Sequence, residues 1–542
     1  MLTAVVVVVA LLGATGAVGE ISRAPAVGGL LGSSTTTVTT TVTTTVPAPS
    51  PVSGADPALT RPAPSPGTAP ASTTAPTGPA RSPDSRPNIV FVLTDDLSTD
   101  LVRFMPSVRA LARDGATFTT NIMSNSLCCP SRASILTGLL PHNTRIFGNN
   151  GPAGGFGGFR RKGLEERTFA VALQDAGYRT ALMGKYLNRY VPSRHRPPPG
   201  WSTWGVAGNG YRGFGYDLNV DGTLAAYGNR RSDYMTDVLA DHGVGFIDEA
   251  VDAGDPFLLT VSTFAPHSPF TPAPRHRHRF PRLRAPRSPA FDAPNADDAA
   301  WLERLRPLTR RNRRTIDRKY RARARSVLAI DEMLARLRSH LVTRGIADRT
   351  WIVFGSDNGL HMGEHRMLPG KTTPFDTDVR VPLVVAGPGV APGTVIDSVT
   401  QNTDLAPTFA EIADTTMPGP TDGRSLLPLL RGERPVDWRD AATIEHRAGR
   451  GVLDDPDLQP ARAGDPPSYR ALRTATGTYV EYAGGFRSFY DLRTDRHQRR
   501  NVIHRLRPTR AKRLRHRLGQ IADCSGPACS IGPPVGSGRR LR

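Results

Sequence analysis

Two continuously apolar runs organise the reading of this chain. Residues 88–94 (Asn-Ile-Val-Phe-Val-Leu-Thr) and 350–355 (Thr-Trp-Ile-Val-Phe-Gly) do not alternate with polar positions. Such runs predict strands buried on both faces of a parallel sheet. The first ends in Asp95-Asp96 and the second in Ser356-Asp357-Asn358-Gly359. Ligands of open α/β sheets gather at the carboxyl ends of strands. Two buried strands ending in oxygen-bearing side chains therefore predict one site for a hard cation, Ca2+ or Mg2+. A further apolar strand is expected over 381–385, and helices over 169–176 and 322–338. The pattern predicts an α/β fold with a large doubly wound, mostly parallel sheet over about 87–440.

From 441 to 520 the pattern changes. Short strand-like pieces at 469–474, 479–482 and 488–492 are separated by turn residues, and an arginine-rich helical stretch follows. This predicts a small antiparallel sheet with a helix packed on it. Residues 521–542 read as a basic tail. Before the first strand, residues 1–19 are apolar and uncharged, the composition of a secretory signal or an uncleaved anchor. Residues 20–86, rich in Thr, Pro and Ala, cannot build a core and read as an extended spacer or cell-surface tether. The expected location is secreted or cell-surface.

Between the two acidic strand ends lies Leu127-Cys128-Cys129-Pro130-Ser131-Arg132-Ala133-Ser134-Ile135-Leu136-Thr137-Gly138. Pro130 suits the first position of a helix and Gly138 a left-handed stop. A short helix is expected over 130–137, with Cys128 just outside its positive end. Arg132 adds a bidentate donor for an oxyanion.

Cys128-Cys129-Pro130-Ser131-Arg132 followed by Thr137-Gly138 resembles the type I sulfatase signature. The resemblance implies an alkaline-phosphatase-like fold. It also implies that Cys128 is converted to formylglycine (3-oxoalanine) by the formylglycine-generating enzyme, its hydrate being the nucleophile. It maps Asp95, Asp96, Asp357 and Asn358, with modified Cys128, onto the family's calcium ligands. Gly184-Lys185-Tyr186 resembles the second signature, whose lysine binds sulfate, and Lys371 matches a lysine for the sulfate and the leaving oxygen. His267, in Ala265-Pro266-His267-Ser268-Pro269, matches a histidine that protonates the leaving group. Asp357 is the implied proton acceptor.

One departure stands out. Leu187 fills the place of a histidine assigned to releasing sulfate from the covalent intermediate. His142 and His361, which closely follow motif residues, are candidates to replace it and to touch substrate. Asn188 is a further candidate substrate contact. The runs around Cys128, Lys185 and His267 are most similar to the N-acetylglucosamine-6-sulfatase branch and its extracellular heparan endosulfatase relatives. The implied substrate is a sulfated carbohydrate or an aryl sulfate. The alternatives are a phosphate or phosphonate esterase of the same superfamily, and an inactive binder of acidic polysaccharide.

Composition adds two points. The net charge is +21, from 69 Lys and Arg against 48 Asp and Glu, so acidic partners are expected; no specific nucleic-acid partner is. Only five lysines occur, and two of them are Lys185 and Lys371. Of four cysteines, Cys524 and Cys529 are spaced to close a small disulfide, which suits an oxidising compartment.

Overall fold

The computed structural model describes residues 85–449, 455, 457–460, 462–530 and 532. The leader expected over 1–19, nearly all of the spacer and most of the basic tail lie outside them.

The first apolar run is the strand β1 (Asn88–Thr94), buried at every position. Nine more strands join it: β2 (Ala116–Phe118), β3 (Arg179–Lys185), β4 (Thr203–Ala207), β5 (Tyr216–Val220), β6 (Thr223–Tyr227), β7 (Phe257–Ser262), β8 (Thr350–Ser356), β9 (Leu383–Ala386) and β10 (Thr394–Ile396). Their order is β10-β2-β9-β8-β1-β7-β3-β4-β5-β6. The central five, β8-β1-β7-β3-β4, run parallel. The sheet is mixed at its flanks: the expected strand over 381–385 is β9, which runs antiparallel to both neighbours. A parallel centre needs crossovers, and the helices supply them on both faces.

Alternate residues of β1 feed two cores. Ile89, Phe91 and Leu93 pack on one side with Phe169 and Phe409. Val90 and Val92 pack on the other with the helices Met235–Ala253 and Arg310–Thr343. This double burial is why β1 reads as an unbroken apolar run. The second helix is longer than the 322–338 expected. A Thr309–Asn312 capping box starts it, and its arginine-rich first half carries too few apolar positions to reveal a helical period.

The C-terminal sheet has four antiparallel strands, Ala441–His446, Tyr469–Thr474, Gly477–Tyr482 and Arg487–Asp491, in chain order. The helix Pro508–Ala522 packs on it through Leu514, Leu518 and Ile521. Cys524 and Cys529 form the expected disulfide. Its other side meets Met367, Phe375 and Val379 of the large layer. Among the described residues no helix is long and apolar enough to cross a membrane.

Gly184, next to Lys185, shows how tightly the parallel strands set the site. Its φ is +103°, and a Cβ there would lie 2.0 Å from the Ser262 carbonyl oxygen of β7. Left-handed strain and backbone overlap together predict that Gly184→Ala costs about 2–4 kcal/mol. A urea midpoint measurement checks this; an unchanged midpoint would contradict it.

Candidate active site

The carboxyl ends of β1, β8, β3 and β7 deliver Asp95-Asp96, Asp357-Asn358, Lys185 and Ser262 to one place. The helix Cys128–Thr137 points its N-terminus there. It starts two residues earlier than the proline suggests. Extended Leu127 is its cap, and the Ser131 N–H donates to the Leu127 carbonyl at 3.1 Å. Cys128 is thus the first helical residue rather than an outside neighbour, and Pro130 sits where no N–H is required. Gly138 ends the helix at φ 71° as expected.

Cys128 is completely buried. Its Sγ lies 3.0 Å from Lys371 Nζ and 3.1 Å from Asp95 Oδ1. Asp95 also accepts from Lys185 Nζ at 2.5 Å. Asp96, in the left-handed region at φ 65°, accepts from Asn358 Nδ2 at 2.6 Å and Lys371 Nζ at 2.7 Å. Asp357 accepts from Arg132 Nε at 2.7 Å and from the Asp96 N–H at 3.2 Å. Arg132 donates onward to Ser262 Oγ at 2.7 Å and the Lys185 carbonyl at 3.0 Å. Cis peptide bonds precede Pro266 and Pro269 on either side of His267, whose Nδ1 is bound to the Ser268 carbonyl at 2.7 Å.

Sequence reasoning missed the group that closes this cluster. Asp457, joined to the C-terminal sheet, is buried with its Oδ1 2.5 Å from Lys371 Nζ and 2.6 Å from His267 Nε2. Its Oδ2 accepts from Asn149 Nδ2 at 2.7 Å and Asn188 Nδ2 at 3.1 Å. Asn149, also missed, accepts from the Cys129 N–H at 3.1 Å. No motif marks either residue; only tertiary packing brings them in. Asn188 does reach the cluster, as expected. With Tyr211 and Asp455 it lines an open cleft of about 510 Å³, and Lys185 Nζ lies 5.0 Å from the Tyr211 ring centroid.

Two expected residues are not brought here. His142 pairs with Glu445 and, at 2.9 Å, the Cys524 carbonyl. Cys128 opens a ten-residue helix that spans about 15 Å at 1.5 Å per residue, so the chain leaving its far end moves away from the site. His361 faces Asp378 at 3.0 Å, and Asp378 in turn accepts from the Thr373 hydroxyl at 2.6 Å. It braces the loop that carries Lys371 instead of reaching Cys128. Leu187 is a core residue, and His267 is the one histidine in the cluster among the described residues.

The electrostatics oppose thiol chemistry. Burial, then Asp357, Asp457 and Asp95, push the Cys128 thiol well above its ordinary range, which disfavours a thiolate nucleophile. Burial opposes ionisation of Asp457, but Lys371 and His267 hold it well below the usual carboxylate range. Burial and Asp95 raise Asp357. Burial would lower His267, but Asp457, Asp96 and Asp95 overcome it and bring the imidazole to about 9. The donor set fits a hard cation. Single ligand atoms of Asp95, Asp96, Cys128 and His267 lie within 4.8 Å of one another, and Asn358 Oδ1 is buried without a partner. An orphaned carbonyl oxygen beside three carboxylates is the arrangement an oxygen-ligated cation satisfies.

Comparison with known proteins agrees with this geometry. The sulfatase family model matches residues 87–415. The N-acetylglucosamine-6-sulfatase of Capra hircus is 33% identical over 475 residues, covering 82% of this chain and 85% of its own length. The extracellular sulfatase SULF-1 homolog of Drosophila melanogaster is 35% identical over 408 residues, 73% of this chain and 36% of that one. Among solved structures, BT4656 in complex with its substrate D-glucosamine-2-N,6-O-disulfate superposes with a TM-score of 0.66 at 25% identity, covering 80% of this chain and 97% of that one. The phosphonate monoester hydrolase of Silicibacter pomeroyi gives 0.63 at 24%, covering 81% and 94%, a likeness of fold alone.

His267 carries a pH signature in metal-free protein. Its folded pKa lies above the unfolded value of about 6.5, so its stabilisation is complete below that value and is lost as pH rises through about 9. The denaturation free energies of wild type and His267→Gln should differ most at pH 6 and converge by pH 10. A gap that widens with pH would contradict the assignment.

Proposed function

This chain belongs to the sulfatase family, and from that premise we propose that it removes sulfate from a sulfated carbohydrate of the N-acetylglucosamine-6-sulfate type. In this reading Cys128, oxidised to formylglycine, supplies the nucleophilic oxygen. The observation that carries it is the position of the Cys128 side chain: at a helix N-terminus, 3.0 Å from Lys371, among carboxylates that keep a thiol inert. A residue so placed becomes useful once it bears oxygen instead of sulfur.

The chain's own residues take the remaining roles. Arg132, Lys185 and Lys371 surround the position of the sulfate oxygens and stabilise charge developing there. Arg132 Nη2 is buried without a partner, so one donor is free to serve. His267 protonates the departing sugar oxygen, a contribution typically worth about 10²- to 10⁴-fold. Asp457 holds Lys371 and His267 in place before substrate arrives. Asp357 accepts the nucleophile's proton. The sugar occupies the cleft lined by Asn188 and Tyr211. Asp95, Asp96, Asp357 and Asn358 would hold a calcium ion, which as a Lewis acid polarises the bound oxygens. Oxygen donors from three aspartates and an asparagine, with a single histidine nearby, favour this over a two-zinc phosphatase arrangement. The Cys524–Cys529 disulfide supports maturation in an oxidising compartment, consistent with export.

Two experiments test the reading. A panel of sulfated sugars, an aryl sulfate and matched phosphate esters should show sulfate-ester turnover that Cys128→Ala abolishes and Cys129→Ser largely spares. Active protein should carry a peptide about 18 Da lighter at position 128, the change from thiol to aldehyde. Full activity in Cys128→Ala, or preference for the phosphate esters, would refute it. Chelation should remove activity, with Ca2+ restoring it better than Mg2+. Asp95→Asn should remain inactive with either ion. Restoration by zinc alone would favour the phosphatase alternative.

A further inference from the structure

The positive excess of this chain is not spread along it. Residues 275–325 hold seventeen Arg and Lys against five Asp and Glu, and residues 493–517 hold eleven against one. The rest of the chain has forty-one against forty-two. A general preference for arginine would raise charge everywhere, so these two segments need their own explanation.

Folding brings them together. The first covers the loops before the helix Arg310–Thr343 and that helix's N-terminal half; the second follows the last strand of the small sheet. Asn501 Nδ2 donates to the Asp297 carbonyl at 3.0 Å, and Tyr490 and Ser488 donate to the Asp298 carboxylate. Pro286, Ser288 and Tyr320 of the first segment and Arg496 and His497 of the second, with Leu492 beside it, line one cleft of about 510 Å³. Inside, Asp376 pairs with Arg380 and Arg473, and Asp100 and Glu364 also line the wall, so the attraction must come from the arginines outside it. Within the two segments some arginines are likewise paired, Arg287 with Asp317, Arg313 with Asp292 and Arg499 with Asp495. Arg282, Arg284, Arg311, Arg496, Arg500 and Arg507 are exposed, and none has an acidic partner among the described residues. Burial, and after it Arg318, push Lys319 down, and burial, and after it Arg321, push Arg325 down.

None of the residues lining this cleft belongs to the Cys128 cluster. We propose that the two basic segments form one binding surface for a sulfated polysaccharide chain, separate from the catalytic site. The choice of a glycan rests on the proposed function above. Exposed guanidiniums without acidic partners, on two segments that meet at one cleft, suit repeated sulfate groups, each taken by a bidentate fork, with affinity arising from counterion release. The surface holds a long substrate while its sulfate esters are presented elsewhere on the protein.

The test uses the full chain carrying Arg282→Ser, Arg284→Ser, Arg496→Ser and Arg500→Ser, with Arg109→Ser/Arg113→Ser as a control for lost charge at an exposed helix outside both segments. In 0.15 M NaCl, a size-fractionated heparin decasaccharide should bind the fourfold variant at least tenfold more weakly than wild type. Its binding should also depend less steeply on salt, and the control should bind like wild type. Equal melting temperatures exclude misfolding, and turnover of a sulfated monosaccharide should be unchanged. Wild-type binding by the fourfold variant, or an equal loss in the control, overturns the surface. Duplex DNA of equal charge, or phosphatidylserine vesicles, bound as tightly with the same loss would overturn the glycan assignment. If the decasaccharide result holds but no sulfated sugar is turned over, the proposed function fails and the surface stands.

Discussion

The site depends on a charge balance made in a dry place. Asp95, Asp96, Asp357 and Asp457 face Arg132, Lys185, Lys371 and protonated His267, all of them buried. Four negative charges meet four positive ones. Removing any one partner from such a set strands its opposite number, which costs far more than the pair contributes when intact. The strand ends, the stiff His267 loop and the Cys128 helix can be read as the scaffold that keeps these eight groups at hydrogen-bonding distance. A divalent cation added to a neutral set leaves an excess of +2, enough to attract a sulfate monoester without a permanently charged, unstable pocket. Carboxylates that look surplus for binding an anion are thus what permits so many cations in one buried volume.

Much of this was legible in the chain. A strand buried on both faces needs apolar side chains in both directions, so 88–94 and 350–356 announce themselves without alternation. Their acidic ends follow from where parallel sheets bind ligands. The Cys128 helix was readable because proline and glycine fix backbone geometry locally. What failed shares one cause: closeness in sequence is not closeness in space. His142 follows the signature by a few residues, but those residues lie beyond the far end of a helix. Asp457 and Asn149 are distant in sequence and reach the cluster only through packing. The strand Ala441–His446 and the first half of the helix Arg310–Thr343 were missed for a simpler reason. The first is a six-residue piece, Ala-Ala-Thr-Ile-Glu-His, with little β-branched or aromatic content, and the second is crowded with arginine, so neither carries a clear hydrophobic period.

The small C-terminal sheet therefore does more than finish the fold. Its connecting stretch places Asp457 against Lys371 and His267, and Glu445 and the Cys524 carbonyl engage His142 near the end of the signature helix. The C-terminal part of the chain thus meets the site residues at the start of that helix and the loop beyond its far end. Motion of the small sheet would be felt first by the residues proposed to hold the sulfate and to protonate the leaving group.

The position of Asp457 in the chain also has a consequence in time. Asp457, whose Oδ1 lies 3.9 Å from Cys128 Sγ, comes 329 residues later in the chain and is the last of the cluster's charged groups to be synthesised. At about 5–20 residues per second of synthesis, that interval is roughly 15–65 s. Within it the growing chain has already delivered Asp95, Asp96 and the helix bearing Cys128, but not the carboxylate that completes the balance. The charge balance around Cys128 is therefore completed only late in synthesis, when the C-terminal part of the chain emerges.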